Sequence, residues 1–410
     1  MSALILKMTG RDRQLLVLLA TGSLIVMTGG VIAPIFPEIV TDLDLSPALA
    51  GYLVSSHFLT VAIFSPILGI LADRLGQVRI LVVSLVFYAL FGMAGGLMQS
   101  FLPMLITRGL VGAASGGIAA ASLGLLVKMY DSSEERSQAI AYVSSVLTVS
   151  NIIYPVLAGL VGGFHWRLVF CLYGLALPLG LLVVLTLQPK KGLETSSSES
   201  SVKANNSDQL IQALKNPFIL QIFLTLCLTA ATAYAVIIYL PLYLKATMNS
   251  TTVLNGIVLA SQALGATAIS AFGVRRLVQR FGLISTIGCG FGCMALPLMI
   301  IPQLQDLVLL FPTTIIFGVG LGIVVPSLYN LLSNLAPSEY QSSILAAGTG
   351  ANFLGQFLCP SLFGLVLSDQ GLIGVFYVAA SLPLMLGLLM LVNFRGEILN
   401  EPRSRSVPKG

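Results

Sequence analysis

Residues 14–37 of this 410-residue chain read QLLVLLATGSLIVMTGGVIAPIFP, without one charged side chain. The hydrocarbon core of a bilayer is about 30 Å thick, and about 20 apolar residues in a helix cross it. The stretch is too long for the apolar region of a secretory signal, and it lacks a clear small-residue cleavage site. It therefore predicts a first membrane-spanning helix and not a cleaved leader.

Apolar stretches of similar length recur along the whole chain. Hydrophobic residues make up 56% of it and charged residues only 9%, against about 25% charged residues in soluble domains. This composition excludes a water-soluble fold and predicts an all-α integral membrane protein with twelve transmembrane helices. We place the spans at residues 14–37, 48–72, 78–98, 102–128, 138–162, 166–187, 217–244, 252–274, 283–303, 307–333, 342–367 and 372–394.

One long polar stretch interrupts the spans. Residues 188–216 are rich in Ser, Lys, Glu and Asn and include TSSSESS at 195–201. A segment with so little apolar surface cannot form a core, so it predicts a flexible linker. The linker divides the chain into an N-terminal six-helix bundle (1–187) and a C-terminal six-helix bundle with a short tail (217–410).

Lysine and arginine are distributed unequally between the two sides of the predicted topology. With the amino terminus in the cytoplasm, eighteen of them lie on the cytoplasmic side and only Arg167 and Lys245 on the other. Cytoplasmic loops of membrane proteins carry this excess. We predict a multi-pass protein of the cell (inner) membrane with both termini and the linker cytoplasmic. The net charge of +5 is then an orientation signal, and we expect no nucleic-acid partner.

An internal repeat connects the two predicted halves. ILADRLG at 70–76 follows the second span, and RLVQRFG at 276–282 follows the eighth. Both end in Arg, an apolar residue and Gly at matching places. Duplicated halves of this kind are typical of secondary transporters.

The stretch GILADRLGQVR at 69–79 resembles the Major Facilitator Superfamily signature G-x-L-A-D-R-x-G-x-x-R between the second and third helices. The resemblance implies two pseudo-symmetric six-helix bundles. It also implies a conformational latch that holds the halves together in the outward-facing state and releases inward, formed by Gly69, Asp73, Arg74, Gly76 and Arg79. The alternative is an ordinary charged turn that only fixes orientation.

The fourth span carries LITRGLVGAA at 105–114, which is similar to the superfamily pattern L-x-x-x-R-x-x-Q-G with Val111 in place of Gln. An arginine at the centre of a span costs roughly 2.5–3.5 kcal/mol on insertion scales, so it faces a cavity or a partner. Arg108 is either a structural residue that binds backbone carbonyls of the first helix or a cavity cation that handles substrate or protons. Gly112 and Gly116 form a GxxxG that predicts close helix packing.

The fifth span resembles the G-P-x-x-G-G motif of drug exporters in a degenerate form. Pro155 and Gly159 remain as packing or hinge elements, whereas Tyr154 and Ala158 replace glycines. PIFP at 34–37 and WRLVF at 166–170 also look like the twelve-helix drug:proton antiporter group, and the resemblance covers the whole chain.

In this fold, helices 1, 2, 4, 5, 7, 8, 10 and 11 line the central path. The resemblance therefore points to polar side chains on those helices as a substrate cavity, although each could instead form an interhelical hydrogen bond. Their apolar and aromatic surroundings suit a hydrophobic or amphipathic solute held by few polar anchors. The candidates are Thr28, Asn151, Tyr154, Tyr234, Tyr239, Asn255, Gln262, Tyr329, Asn330, Asn352 and Gln356.

None of the sixteen acidic residues lies deep in a predicted span, whereas drug:proton antiporters commonly carry a membrane carboxylate. His57 is the side chain inside a span whose unperturbed pKa, about 6.5, allows titration near neutral pH. We therefore predict that His57, together with Arg108, couples transport to protons. The alternatives are a neutral histidine bonded between helices, or Asp73 or Glu38 as the proton carrier.

Enzymatic and ATP-driven functions lack their motifs. No helix-opening GxGxxG or GKT element occurs, the five cysteines have no histidines at metal-ligand spacing, and no Ser/His/Asp cluster is evident. We expect no cofactor and no metal, and a monomer in contact with membrane lipid.

These features predict a secondary transporter that exports small hydrophobic or amphipathic molecules, coupled to protons, by alternating access. One alternative is a dedicated exporter of one metabolite, such as a siderophore, a sugar derivative or an organic anion. Uptake shares the same architecture. A non-transporting sensor or scaffold should carry a sizeable soluble domain, and the longest polar segment here is the linker.

Overall fold

The computed structural model describes residues 10–130, 132–187, 214–304, 306–337 and 339–393. Within these ranges the secondary structure is helical and contains no strand. Three short 3₁₀ segments, Ala33–Ile35, Trp166–Leu175 and Ile301–Gln303, accompany the α-helices. The α-helices are α1 (Gly10–Gly30), α2 (Phe36–Asp42), α3 (Pro47–Leu75), α4 (Gln77–Gly95), α5 (Phe101–Met129), α6 (Ser133–Gly162), α7 (Ala176–Thr186), α8 (Pro217–Met248), α9 (Thr252–Phe272), α10 (Val274–Phe281), α11 (Leu283–Ile300), α12 (Leu307–Leu335) and α13 (Gln341–Asn393).

Eleven helical stretches of the described chain are long and apolar enough to cross a membrane. The last of them, α13, has 53 residues and contains non-helical backbone at Gly371 (φ 69°, ψ −171°). A straight helix of that length would be about 80 Å long at 1.5 Å per residue, more than twice the hydrocarbon core. Gly371 separates the predicted spans 342–367 and 372–394, so the all-α, twelve-span prediction is confirmed.

The internal repeat extends to the backbone. Gly76 ends α3 with φ 98°, and Gly282 ends α10 with φ 81°. Glycine reaches positive φ without the steric penalty of a Cβ, so the same residue ends the helix in both copies. The copies differ before that glycine, because α3 runs unbroken to Leu75 whereas the second copy is interrupted at Gly273 and continues as the separate helix α10.

The first span is broken where glycines and a proline follow one another. α1 ends at Gly30, and the 3₁₀ segment begins with Ala33 and Pro34. At this break the Ile32 amide donates to Gly29 O at 3.3 Å, so the carbonyl of Thr28 loses its regular i+4 donor. A buried carbonyl in that position requires another donor.

Helices α3 and α5 cross in backbone contact. A Cβ added at Gly112 would lie 2.1 Å from Thr60 Oγ1 and 2.5 Å from His57 O, and one at Gly116 would lie 2.9 Å from Ser65 N. At Gly69 an added Cβ would lie at an ordinary 3.6 Å from Ala120 Cβ. Close approach therefore depends on the glycines of α5 and not on Gly69.

The chain divides into two compact units. The first holds the described residues of Met1–Asn206 together with Val236–Ala260 and Gln356–Leu365, and the second holds those of Ser207–Ala235, Ser261–Gly355 and Val366–Gly410. Parts of α8, α9 and α13 thus belong with the first six spans. Residues 188–213 of the predicted linker lie outside the described residues, and the division into six and six helices stays a prediction.

Candidate functional site

Arg108 lies in the interior of the first unit and is 2% exposed. Its Nε donates to Leu53 O at 3.0 Å, one terminal nitrogen donates to the Tyr173 hydroxyl at 2.6 Å, and the other donates to Thr28 O. Each of the three guanidinium nitrogens thus has its own acceptor on α1, α3 or the sixth span. The charge is balanced by carbonyl and hydroxyl oxygens, an arrangement in which buried arginine is tolerated in membranes.

The carbonyl that Arg108 reaches is the one freed by the break in α1. Thr28 O also accepts a hydrogen bond from Tyr173 OH at 3.0 Å. The two donors replace the helical amide that bonds to Gly29 instead. This geometry matches the structural interpretation of Arg108, in which the arginine binds a backbone carbonyl of the first helix.

A layer of hydroxyl groups surrounds this contact. Thr28 Oγ1 lies 2.8 Å from Ser115 Oγ and donates to Leu24 O at 3.1 Å, and Tyr88 OH donates to Leu24 O at 2.7 Å. Thr28, predicted as cavity lining, is fully buried in this network. Tyr173 and Tyr88 were not predicted, because they lie on the sixth and third spans, outside the helices expected to line the path; a tyrosine in an apolar span was the available signal.

His57 lies one helical turn after Leu53 on α3, on the face of the helix that packs against α5. It is 2% exposed, and its Nδ1 has no hydrogen-bond partner among the described residues. Its backbone contacts α5 at Gly112. Because Arg108 binds the Leu53 carbonyl on the same face, the imidazole and the guanidinium share one buried region.

The other cavity candidates of the first unit differ in burial and in hydrogen bonding. Asn255 is fully buried between Ser250 Oγ (2.9 Å) and Pro34 O (3.2 Å). Tyr239 is fully buried, and its hydroxyl has no hydrogen-bond partner in the described chain. Tyr154 bonds to Ser23 Oγ at 2.8 Å, whereas Asn151 is exposed and donates to the carbonyl of the preceding turn. Gln356 is half-buried.

The second unit holds the remaining candidates. Tyr234 is buried, and Gln262 is buried with its Oε1 lacking a hydrogen-bond partner among the described residues. Tyr329 is half-buried, and its hydroxyl donates to Thr349 Oγ1 at 3.4 Å. Asn352 is half-buried and Asn330 is exposed.

The residues of the predicted latch lie at the end of α3. Asp73 Oδ1 is 3.6 Å from Lys128 Nζ and accepts from Gln77 Nε2 at 3.4 Å. The Asp73 and Lys128 side chains are 68% and 65% exposed. Arg74 and Arg79 are exposed as well. In this structure the carboxylate therefore binds within the first unit, across the ends of α3 and α5.

The opposite ends of these helices form what we call the far face. There Asp42 Oδ2 accepts from Trp166 Nε1 at 3.2 Å and from Arg167 at 3.4 Å. The Arg167 guanidinium also lies over the Trp166 ring, 4.7 Å from its centroid. This cluster joins the end of the first span to the start of the sixth.

Polar contacts between described residues of the far face join helices of the predicted N-terminal half to α8, α9 and α13. We call them the far-face seal; all of them lie within the first unit. Lys245 Nζ lies 3.4 Å from Glu38 Oε1, and Thr252 Oγ1 donates to Gly159 O at 3.0 Å. Asn255 Nδ2 donates to Pro34 O at 3.2 Å. Tyr52 OH lies 2.6 Å from Ser361 Oγ, and Ser55 Oγ donates to Phe357 O at 3.4 Å.

Glycines and prolines bring the helices of the seal into contact. A Cβ added at Gly256 would lie 2.3 Å from Pro155 O, and one at Gly159 would lie 2.6 Å from Thr252 O. On the other side of the seal, an added Cβ at Gly51 would lie 3.1 Å from Pro360 Cβ. Pro155 and Gly159, predicted as packing or hinge elements, thus lie where α6 meets α9.

Twelve apolar spans define a polytopic membrane protein. The Major Facilitator Superfamily model matches residues 18–360 and 255–410. The chain belongs to the Major Facilitator Superfamily. It is a multi-pass membrane protein and a transporter of small molecules, not an enzyme, and the predicted family resemblance is confirmed.

Known proteins place the chain within that superfamily. Quinolone resistance protein NorA of Staphylococcus aureus (strain COL) is 23% identical over 388 residues, which are 93% of this chain and 96% of the relative. Multidrug resistance protein 1 of Bacillus subtilis (strain 168) is 31% identical over 186 residues, 44% of this chain and 46% of the relative. The crystal structure of nucleoside transporter NupG has a TM-score of 0.76 at 16% identity, over 93% of this chain and all of that one (100%). At that identity the structural match shows the fold alone.

Proposed function

We propose that this protein exports small hydrophobic or amphipathic molecules from the cytoplasm in exchange for protons. The observation that carries the proposal is a match over nearly the full length of a relative named for quinolone resistance. A second relative, named for multidrug resistance, supports the same class of substrate. Both termini are cytoplasmic in this proposal, because the sequence places eighteen basic residues on that side.

In alternating access, the path to the substrate site is closed on one side of the membrane while it is open on the other. Export therefore requires contacts on the outer side that can form and break. The far-face seal has the composition of such a closure, since its described contacts include one ion pair, four hydrogen bonds and close helix packing at glycines. Its polar contacts are few, and individual hydrogen bonds between membrane helices are worth only about 0.6 kcal/mol on average. We propose that it opens to release solute outside.

Arg108 has a positioning role in this proposal. All three of its nitrogens already donate to protein oxygens, so it keeps the broken first span attached to α3 and the sixth span. Among the candidates of the same unit, Tyr239 has a hydroxyl without a hydrogen-bond partner in the described chain, so direct contact with solute falls to it instead.

His57 is the proposed coupling residue. It is buried beside Arg108, and its Nδ1 lacks a hydrogen-bond partner among the described residues. A dry site beside a positive charge disfavours the imidazolium, so we expect proton uptake only when the site opens to water. His57→Gln keeps a polar side chain but cannot titrate. We expect it to bind solute and to lose the effect of an imposed pH gradient. Unchanged dependence on the gradient would exclude His57 and favour Glu38 or Asp73 as carrier.

The direct test of export uses purified protein in liposomes with an acidic lumen and the fluorescent quinolone norfloxacin outside. Molecules whose cytoplasmic side faces outward should accumulate the quinolone while protons leave the lumen. Collapse of the gradient with a protonophore should abolish accumulation, and protein-free liposomes supply the baseline.

The same assay separates the alternatives. Accumulation of norfloxacin and also of structurally unlike amphipathic dyes supports multidrug export. If no gradient drives any of these probes, multidrug export is rejected. A screen in which one metabolite alone is transported would instead support the dedicated exporter.

A further inference from the structure

Helix α10 separates its apolar and basic residues completely. At 100° per residue, Val274, Leu277, Val278 and Phe281 fall within one arc of about 100°, whereas Arg275, Arg276, Gln279 and Arg280 occupy the rest of the circumference. None of its residues is buried. The helix is thus amphipathic but does not use its apolar face to complete the protein core.

The position of α10 in the chain fixes its place at a membrane surface. It follows the span α9 and precedes the span α11, and its eight residues extend only about 12 Å. It is therefore too short to cross the bilayer and lies where two spans emerge from it. Phe281, the last residue of α10, is 56% exposed, and Phe272, the last residue of α9, is 77% exposed. Such exposure suits contact with acyl chains better than contact with water.

The three arginines of α10 have no acidic partner within ion-pair distance in the described part of the chain. The internal repeat shows how this copy differs from the first. Gln279 takes the place of Asp73, and Asp73 is the carboxylate that pairs with Lys128 in the first copy. The second copy thus presents three positive charges without the acid.

A groove of about 200 Å³ lies directly beside the apolar face of α10. It is lined by Leu277 and Phe281 of α10 and by Ser285, Thr286 and Cys289 of α11. The groove is apolar on most of its surface, and the arginines lie on the polar side of the same short helix. An amphiphile with an apolar chain and an anionic head has the complementary chemistry.

We propose that α10 is an interfacial helix that binds an anionic phospholipid of the bilayer. The headgroup phosphate, and the phosphates of neighbouring anionic lipids, bind to Arg275, Arg276 and Arg280. The groove beside Leu277 and Phe281 holds part of an acyl chain. This inference concerns the membrane-spanning fold and does not depend on export being the function.

The test places a fluorescent reporter on the apolar face. The chain has one tryptophan, Trp166, so Phe281→Trp adds a second, whose signal is obtained after subtraction of the unsubstituted protein. The protein is reconstituted in phosphatidylcholine bilayers that contain an increasing fraction of either brominated phosphatidylglycerol or brominated phosphatidylcholine. Juxtamembrane arginines attract anionic lipid, and we expect quenching of the introduced tryptophan to show a preference of about fivefold for the anionic lipid.

A triple variant, Arg275→Gln with Arg276→Gln and Arg280→Gln, should bring this preference close to one while quenching by phosphatidylcholine persists. The control Arg74→Gln with Arg79→Gln and Lys128→Gln removes equal charge from the ends of α3, α4 and α5 in the first half and should keep the preference. Monodisperse elution, and an unchanged Trp166 spectrum in matched variants that keep Phe281, establish that each variant is folded. Equal quenching by both lipids in the parent, or an unchanged preference in the triple variant, would overturn the proposal.

Discussion

A single arginine in an apolar span allowed two interpretations, and its hydrogen bonds match the structural one. Arg108 donates to Leu53 O, Thr28 O and Tyr173 OH. The need for these bonds begins with Gly29 and Gly30, which break α1 and free the Thr28 carbonyl. At the scale of one residue, a positive charge in the membrane thus compensates for a backbone defect.

Replacement of Arg108 by lysine tests whether geometry or charge matters. Lysine carries its donors on one nitrogen, so it cannot reach three acceptors on three helices. Each buried group left without a hydrogen-bond partner costs about 1–3 kcal/mol. Arg108→Lys should therefore lower the melting temperature and the rate of transport. Arg108→Ala should lower both further. Thermal unfolding in detergent is the measurement, with the exposed Arg79→Lys as the control. Full stability and transport in Arg108→Lys would show that charge alone suffices.

At the scale of helices, the glycines of α5 determine how closely α3 approaches. The GxxxG of Gly112 and Gly116 places the α3 backbone in contact with α5 near His57 and Ser65. Gly109, on the same helix, has no such neighbour, since an added Cβ would be 3.7 Å from Thr60 Cγ2. The two positions therefore provide a matched pair of substitutions.

Gly112→Ala should destabilise the protein, because its Cβ would meet Thr60 Oγ1 and the His57 carbonyl and force the helices apart. Overpacking of this kind costs about 1–3 kcal/mol. Gly109→Ala should be neutral or stabilising by up to about 1 kcal/mol, since alanine favours the helix. Melting temperatures of the two variants give the comparison, and equal effects would contradict the close packing.

The end of α3 carries the predicted latch, and its exposure sets the expected result of a substitution. The Asp73–Lys128 pair lies on the surface, where such pairs contribute about 0–1 kcal/mol. Asp73→Asn should therefore leave expression and the melting temperature almost unchanged while it lowers the rate of transport. Lys128→Gln removes the same pair and keeps the carboxylate. If Asp73→Asn transports at the normal rate, the latch assignment is wrong.

At the scale of the whole molecule, the proposed transport cycle requires the far-face seal to open. The Cβ atom that a side chain at Gly364 would carry lies 3.4 Å from Ala48 Cβ, close to the separation in disulfides of about 3.5–4.5 Å. In a background without the five native cysteines, Ala48→Cys with Gly364→Cys should form a disulfide that stops norfloxacin transport. A reductant should restore it.

Each single cysteine variant serves as the control and should transport under oxidising conditions. Transport that continues after complete cross-linking, judged by mobility on a denaturing gel, would show that the seal does not open during the cycle.

The orientation of the molecule has its own test. Reporter fusions at Ser197 and Arg403 should report a cytoplasmic location, and a fusion at Asn249 should report the outside, because basic residues are concentrated on the first side. Ser197 and Arg403 lie outside the described residues. A periplasmic signal from the fusion at Ser197 would overturn the predicted arrangement of the two halves.

Much of the fold was predictable because the bilayer imposes local rules. Apolar stretches such as residues 14–37 must form helices, since a backbone in hydrocarbon has no water to satisfy its polar groups. The glycines that end α3 and α10 were visible as a repeat before their positive φ angles were known. The contacts of the candidate site could not be predicted from such local rules. Tyr173 lies on a span outside the expected lining, and nothing near Lys245 in the chain indicates Glu38 as its partner.

The amino-acid sequence by itself determined the number of spans, the internal repeat and the family, because hydropathy and turn-forming glycines act over a few neighbouring residues. Only the tertiary structure decided that Arg108 binds the carbonyl freed at Thr28 and that α8, α9 and α13 contact α2, α6 and α3 at the far face. Those contacts join residues more than 50 positions apart, and their energy depends on distances and directions that exist only after the helices have packed.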